Sequence, residues 1–514
     1  MLEKVPLHPI LFALFPILTA YTSLIHYVLP DEIVLPLIAN LSLCVILFGI
    51  WFAVLRHARR AAIVTSVSVL LIFTFDAPSI LISRALKTIN IQSNDAWIVL
   101  PYLLVAALII SVFARSKNEF TILTKFLNIV SIVLVIGNLG YVFTHEMNIQ
   151  GKVDEVRKHQ AQHLEEIKLV SQKNNPDIYY IILDAFTRTE ALKEVYGYDN
   201  TEWIEQLEKR GFTVAKKSRS NYQVTILSLP SSLNIQYLDD IAKIMGRDAT
   251  DNVALCRMIQ LNNVTQALKR IGYRFENMRS GYAPTDYIPE ADDNIGCMFG
   301  NIFHLAFVRG TIIGPFQKYF DYLGKPLRAT RTYAIDHPDE FTSKPSPKFT
   351  LIHTLVPHPP FLWKADGTPI VLDEISLGHL YTKNEYVDHI KFIQNRTLEL
   401  IDALQKDPKK KVIIIQGDHG SASQPGTDGN PSDSFLNERF RIINAYYLPE
   451  SDLDATSADQ PARTVYDTIT PVNSFRVVLN KYFDAKLPLL EDKLMYSPPV
   501  TPFAFEDVTK RVKP

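Results

Sequence analysis

Five apolar stretches, at about 9–29, 34–55, 61–83, 96–114 and 121–144, dominate the first 145 residues. Each comes close to the ~20 residues that carry an α-helix through ~30 Å of hydrocarbon. Charge divides the chain at the same place. Residues 1–145 hold nine Lys/Arg and six Asp/Glu, and the other 369 residues hold 44 and 48. One soluble domain of mixed composition is thereby excluded. The 28 Phe and 23 Tyr exclude intrinsic disorder. The outer part is slightly acidic and has no basic stripe, so nucleic acid is not an expected partner.

Short-loop basic residues set the orientation. Arg56, His57, Arg59 and Arg60 follow the second stretch, and Arg115, Lys117 and Lys125 surround the fourth connection. Both loops belong on one side, the cytoplasm, together with Lys4, while Arg84 and Lys87 lie opposite. An odd number of spans then puts residues 146–514 outside the cytoplasm. The expected organisation is a transmembrane domain over 1–145, a connecting helix over 146–175 and an extracytoplasmic domain over 176–514. The protein would be integral to an inner or plasma membrane. The first stretch is too long for a cleaved signal peptide and lacks a small-residue cleavage site. Asp76 beside Pro78 is read as a residue at the end of its span, with an intramembrane function as the alternative. Cys44 is expected to pack inside the second span. Cys256 and Cys297 could pair in an oxidising compartment, which two cysteines alone do not establish.

The outer part alternates strands and helices. DIYYIILDA (177–185), FTLIHTLVP (349–357), KKVIIIQGDHG (410–420) and RIINAYYLP (441–449) read as buried strands. A shorter strand is expected at 212–216. Helical patterns lie at 200–210, capped by Asn200, at 379–406 and at 470–483. The expected fold class is α/β, a bundle of about five transmembrane helices followed by a domain with a central, mainly parallel sheet. Such sheets place ligands beyond the carboxyl ends of their strands. Residues 282–347 are irregular and read as an insertion facing substrate.

Those carboxyl ends deliver Asp184, His353 and the pair Asp418–His419. Carboxylate and imidazole suit Zn²⁺ or Mn²⁺. A lone strand-end Asp is more often a helix cap, but two adjacent metal-type ligands after a run of aliphatics are hard to explain by packing. Gly417 and Gly420 would let the backbone turn around an ion. A hydroxyl-rich stretch, SNYQVTILSLPSSLN (220–234), offers a nucleophile at a helix N-terminus, where an incoming anion is favoured. Its bland reading is a Ser-rich helix start.

In order, strand-LDA, NYxxTxxSLPSSLN, IHTLVPHPPF and GDHG resemble the sulfatase-like branch of the alkaline phosphatase superfamily. With its spans, the chain looks most like membrane phosphoethanolamine transferases and phosphoglycerol transferases of the lipoteichoic acid synthase type. The resemblance covers about residues 176–485 and the membrane layout. It implies an alkaline-phosphatase/sulfatase-like domain and a divalent metal held by Asp184, Thr225, Asp418 and His419. It implies Thr225 as nucleophile, with His353 and His358 facing the substrate or a second metal. Asn221 and Arg188 are near-site candidates. Ser228 is the second choice of nucleophile, but the arginine of the sulfatase C/S-x-P-x-R motif is missing, which argues against the formylglycine route. No histidine soon follows Asp418–His419, so a second metal site stays open.

The implied activity is transfer of a phospholipid headgroup phosphate, of phosphoethanolamine or phosphoglycerol type, to an envelope glycan or lipid acceptor through a phospho-threonine. The alternatives are a phosphate or sulfate ester hydrolase of the same fold and a non-catalytic envelope scaffold.

Overall fold

Asp177–Leu183 (β1) is buried at every position, as an apolar strand must be when helices cover both faces of its sheet. The computed structural model describes residues 5–88, 95–371, 382–424, 429–451 and 464–514. Lys4, one of the orientation markers, and residues 379–381, at the start of the predicted 379–406 helix, lie outside the described residues. From 383 that helix is present as Lys383–Lys406.

The chain forms two units. Residues 151–301 and 324–514 make one of them, and residues 1–150 with 302–323 make the other. The first of these is the α/β unit. Its sheet comprises β1, β2 (Thr213–Val214), β3 (Arg274–Met278), β4 (Asp293–Ile295), β5 (Lys348–Thr354), β6 (Lys411–Gln416) and β7 (Asn444–Tyr447), in spatial order β2-β7-β6-β1-β5-β3-β4. The pairs from β6 through β1, β5 and β3 to β4 are parallel, and β7 runs antiparallel to β6. Register fixes what matters for function. Ile182 on β1 lies beside His353 on β5 and Gln416 on β6. The carboxyl ends of the three central strands therefore finish level with one another.

A core of Ile178, Ile182, Phe275, Phe349, Leu351 and Ile414 packs on Leu229 and Leu233 of the Thr225–Asn234 helix and on Phe475 and Leu479 of Pro471–Phe483. β3 and β4 lie where the sequence suggested no strand. They read as polar (RFENM and DNI) because Glu276 and Asn277 face buried side-chain partners rather than an apolar layer. The predicted cap Asn200 makes no side-chain bond to the Thr201–Lys209 helix; Asp199 Oδ1 accepts from Thr201 N–H instead, at 2.9 Å. Cys256 and Cys297 are not bridged.

In the other unit, three helices among the described residues are long and apolar enough to cross a membrane. They are Val34–Leu55 (α2, entered through a short turn from Pro30), Asp95–Arg115 (α5) and Thr121–Glu166 (α6). His8–Ser23 (α1) is apolar but shorter. The predicted single span 61–83 is instead a pair, Ala58–Phe73 (α3) and Asp76–Thr88 (α4), bent by 56°. Pro78 lacks the N–H that a continuous helix would give to Thr74, so the helix breaks just upstream. Asp76 sits exposed at this break, as the first residue of α4. The expected connecting helix over 146–175 is not separate. It continues α6 without interruption and ends at Glu166. The loops holding Arg59–Arg60 and Ser116–Glu119 meet at one end: Arg60 donates to Ser116 O at 2.9 Å, and Arg59 pairs with Glu119 at 3.1 Å. Both basic loops thus lie on the same side of this unit, as the orientation rule requires.

Residues 302–323 depart furthest from expectation. Within the stretch read as a substrate-facing insertion, they fold with residues 1–150. Phe303 packs on Tyr21, Ile25 and Val28.

Candidate metal centre

Asp184 follows β1 directly, and Asp418–His419 follow β6 by one residue. Level strand ends bring them together: the ligand atoms of Asp184, Asp418 and His419 lie within 4.8 Å of one another, and all three residues are buried. His419 Nε2 stands 3.5 Å from Asp184 Oδ1, 3.4 Å from Asp418 Oδ2 and 3.2 Å from Thr225 Oγ1. His353 Nε2 stands 3.5 Å from Asp184 Oδ2. The ring of His358 is 6.4 Å from that of His419.

The chemistry of the group fits a divalent cation. Asp184 Oδ1, Asp418 Oδ2 and His353 Nε2 are buried polar atoms with no hydrogen-bond partner among the described residues. Such atoms are costly unless something compensates them, and two carboxylates side by side are costlier still. Burial and the Asp184 charge push the Asp418 carboxyl up to about 6. Burial would also raise Asp184, but His358, His353 and His419 hold it well below the usual carboxylate range. Burial and the Arg439 guanidinium hold His419 far below its ordinary value, so its ring is neutral and able to donate a lone pair. Its Nδ1 faces Gly420 O at 2.9 Å, which sets the tautomer with the lone pair on Nε2, toward the carboxylates. His353 is oriented the same way by Thr285 Oγ1, 2.8 Å from its Nδ1.

Thr225 is the first residue of its ten-residue helix, and Val224 supplies no side-chain cap. The hydroxyl therefore shares its position with unsatisfied helix N–H groups, which favour an anion. Ser228 is one turn further on, fully buried, and donates to Asp418 O at 2.6 Å. Ser220 donates to the same carbonyl at 2.5 Å. These two hydroxyls hold the Asp418 backbone.

Gly417 and Gly420 act by close approach rather than by turning, since neither has a positive φ. A Cβ on Gly420 would lie 2.1 Å from Glu438 O, and one on Gly417 would lie 2.6 Å from Phe186 O. Asn221 and Arg188 stand outside the group. Asn221 bonds Val472 N and Lys493 O, and Arg188 bonds Ser218 O and pairs with Glu190.

Four supporting residues carried no signal in the sequence. Arg439 donates to Gly420 O and Gln223 O and reaches His419 Nε2 at 3.2 Å. Glu438 accepts from Tyr196, Ser421 and Ser423, fixing the chain after Gly420. Arg331 donates to the carbonyls of His358, Pro359 and Pro360, each at 3.0 Å. Thr285 lies in the irregular stretch for which no chemistry was expected.

No protein-family model matches the sequence, and no curated protein does. Solved structures do resemble it. The C-terminal periplasmic domain of EcEptC from Escherichia coli aligns at 16% identity and TM-score 0.42, over 66% of this chain and 94% of that one. The integral membrane protein lipooligosaccharide phosphoethanolamine transferase A (EptA) from Neisseria meningitidis aligns at 12% and 0.36, over 85% and 88%. A 2-O GAG sulfatase aligns at 11% and 0.38, over 61% and 72%. TM-scores below 0.5 do not establish a shared fold, so the functional reading rests on the residues described above.

Proposed function

We propose that this is a membrane-anchored enzyme that moves a phosphate-linked headgroup from a phospholipid to a hydroxyl of an envelope glycan or lipid, through a phospho-threonine at Thr225. One observation carries the reading: a threonine hydroxyl at an uncapped helix N-terminus lies 3.2 Å from His419 Nε2, beside two buried carboxylates with unpartnered oxygens. That is the arrangement of an activated nucleophile. Asp184, Asp418 and His419 would hold one divalent cation, Zn²⁺ or Mn²⁺, with the Thr225 oxygen as a further ligand. When bound, the cation would lower the pKa of the hydroxyl and offset charge on the phosphoryl oxygens.

The remaining steps belong to the chain. Thr225, part-buried and open to water, releases its hydroxyl proton to solvent, and its Oγ1 attacks phosphorus to form one P–O bond. The bond from phosphorus to the diacylglycerol oxygen breaks, and His358, half-buried beside the group, supplies that oxygen with a proton. His353, fully buried and tied to Thr285, orients Asp184. In the second half an acceptor hydroxyl gives its proton to His358 and attacks the phospho-threonine; the bond from phosphorus to Thr225 Oγ1 breaks, and that oxygen takes a proton back from solvent. The N–H groups of the helix N-terminus favour the phosphoryl oxygens throughout.

Thr225→Ala should lower turnover by roughly 10³-fold or more, the usual loss when a nucleophile is removed. Ser228→Ala should lose only the bond to Asp418 O, at about 1 kcal/mol of stability, and should keep the covalent step. Peptide mass spectrometry of protein incubated with envelope phospholipid and Mn²⁺ or Zn²⁺ should find the headgroup phosphate on Thr225. An adduct on Ser228, or full activity in Thr225→Ala, would sink the assignment. Free headgroup released without any glycosyl or lipid acceptor would make the enzyme a hydrolase.

A further inference from the structure

The segment 302–323 is a built element with an apolar face that no described residue of its own unit covers. Backbone bonds tie it to the break between α3 and α4: Ile312 N donates to Ile72 O at 2.9 Å, and Asp76 N donates to Gly310 O at 3.3 Å. Ile312 and Phe316 pack on Phe75, Ile98 and Val99, at the end of α3 and the start of α5. Buried Gln317 closes its tip, donating to Asp321 Oδ1 at 3.1 Å and accepting from Leu323 N at 2.7 Å. A Cβ on Gly314 would lie 2.1 Å from Arg309 O, so the turn there requires glycine. This fixed loop leaves Ile313 49%, Tyr319 61% and Phe320 67% exposed.

Two observations say what covers them. The segment is attached at the end of α3 and α5 opposite the two basic loops, which is the outer end by the orientation rule. It also continues a surface that is already apolar and open, with Trp97 77% and Leu100 61% exposed on α5 just below its contacts. If α5 crosses the bilayer, those two side chains face lipid, and the loop stands at headgroup depth beside them. Aromatic side chains with one polar tip are the residues that settle at that depth.

We propose that residues 302–323 form an interfacial lipid anchor that seats Ile313, Tyr319 and Phe320 in the outer leaflet of the membrane. The anchor is drawn from the sequence of the outer half, although it folds with the spans. It requires only that the spans cross a bilayer, and it is independent of the chemistry at Thr225.

The test is spin labelling of the full-length protein in liposomes of phosphatidylethanolamine and phosphatidylglycerol. Single labels go on Ile313→Cys, Tyr319→Cys, Phe320→Cys and Val500→Cys in a Cys297→Ser background, since Cys44 and Cys256 are buried. Val500, 61% exposed in the α/β unit, is the aqueous reference. Labels at 313, 319 and 320 should collide with dissolved oxygen several-fold more, relative to a water-soluble nickel chelate, than the label at 500. An equal ratio at all four positions would place the loop in water and overturn the proposal. Exclusion of both probes at 313, 319 and 320 would mean a protein partner, a second copy included, and would overturn it too. Any one of the three positions gives the answer if another fails to fold.

Discussion

The two units solve the burial problem in opposite ways. In the α/β unit the interior is apolar, and the charged side chains lie mostly outside. In the unit of residues 1–150 and 302–323 the exterior is apolar: Leu104 is 64% exposed, Val133 63% and Ile122 86%. Its buried positions include Asn40, Ser66, Thr124, Asn128 and Ser131. Asn128 Oδ1 accepts from Leu7 N and His8 N, both at 2.9 Å, capping the first turn of α1. His8 Nδ1 meets Ser66 Oγ at 2.6 Å, and Asn40 donates to Ala13 O at 2.6 Å. Hydrocarbon gives no hydrophobic reward for burying Leu, so helices in it associate through small and polar side chains. The same rule of satisfying polar groups and hiding surface from an unlike solvent thus yields opposite faces in the two units.

This contrast can be broken most directly with one charge placed in each. Leu104→Asp, in the middle of α5, should cost about 3 kcal/mol of insertion, while the equally exposed Val500→Asp should stay within ~0.5 kcal/mol. Glycosylation-based insertion assays for the first and a Tm for the second would show it. Equal effects would mean that α5 does not face lipid.

One exception inside the α/β unit is the carboxylate pair, whose cost should be relieved by a cation. At a metal concentration about 100 times Kd, the wild-type protein should gain about 2.7 kcal/mol, seen as a rise in Tm. Asp418→Asn keeps the acceptor for Ala185 N, and it should lose most of that gain. An undiminished metal response would remove Asp418 from the ligand set.

Glu276 is another buried carboxyl in this unit, bonded to Thr350 and pushed up to about 7 by burial. The folded protein holds its proton where the unfolded chain, near 4.5, does not. Its contribution to stability therefore falls as pH rises from about 4.5 to 7. Glu276→Gln should raise Tm at pH 8 by the equivalent of about 2 kcal/mol and change little at pH 4.5. A benefit that grows toward acid pH would reverse the assignment. The smallest effect is expected in the other unit, where Asn128→Leu should cost about 0.6–1.7 kcal/mol in a detergent unfolding assay. A gain in stability would show that its polar interior is not structural.

Much of the site was legible in the chain because strand ends announce themselves. An aliphatic run followed by Asp, His or Asp-His marks a buried strand stopping at a polar edge, and Asp184, His353, Asp418 and His419 were found that way. Thr225 was singled out from Ser228 by resemblance. The structure separates the two by place, one at the helix start and the other buried one turn on and spent on the Asp418 carbonyl. Arg331, Arg439 and Thr285 were illegible because each acts through backbone carbonyls or a ring nitrogen far away in sequence. No local pattern encodes such partners.

The sequence alone determined the partition into an apolar half and a charged half, the parallel strands and the ligand types at their ends. Those follow from local composition and period, which the solvent on each side imposes residue by residue. Tertiary structure alone decided the level register that gathers the ligands, the continuity of α6 with the expected linker, and the inclusion of residues 302–323 in the unit of the spans. Each depends on which surfaces find each other across hundreds of residues. Burial is indifferent to sequence separation, so a segment of the outer half can fold with helices that precede it by 200 residues or more.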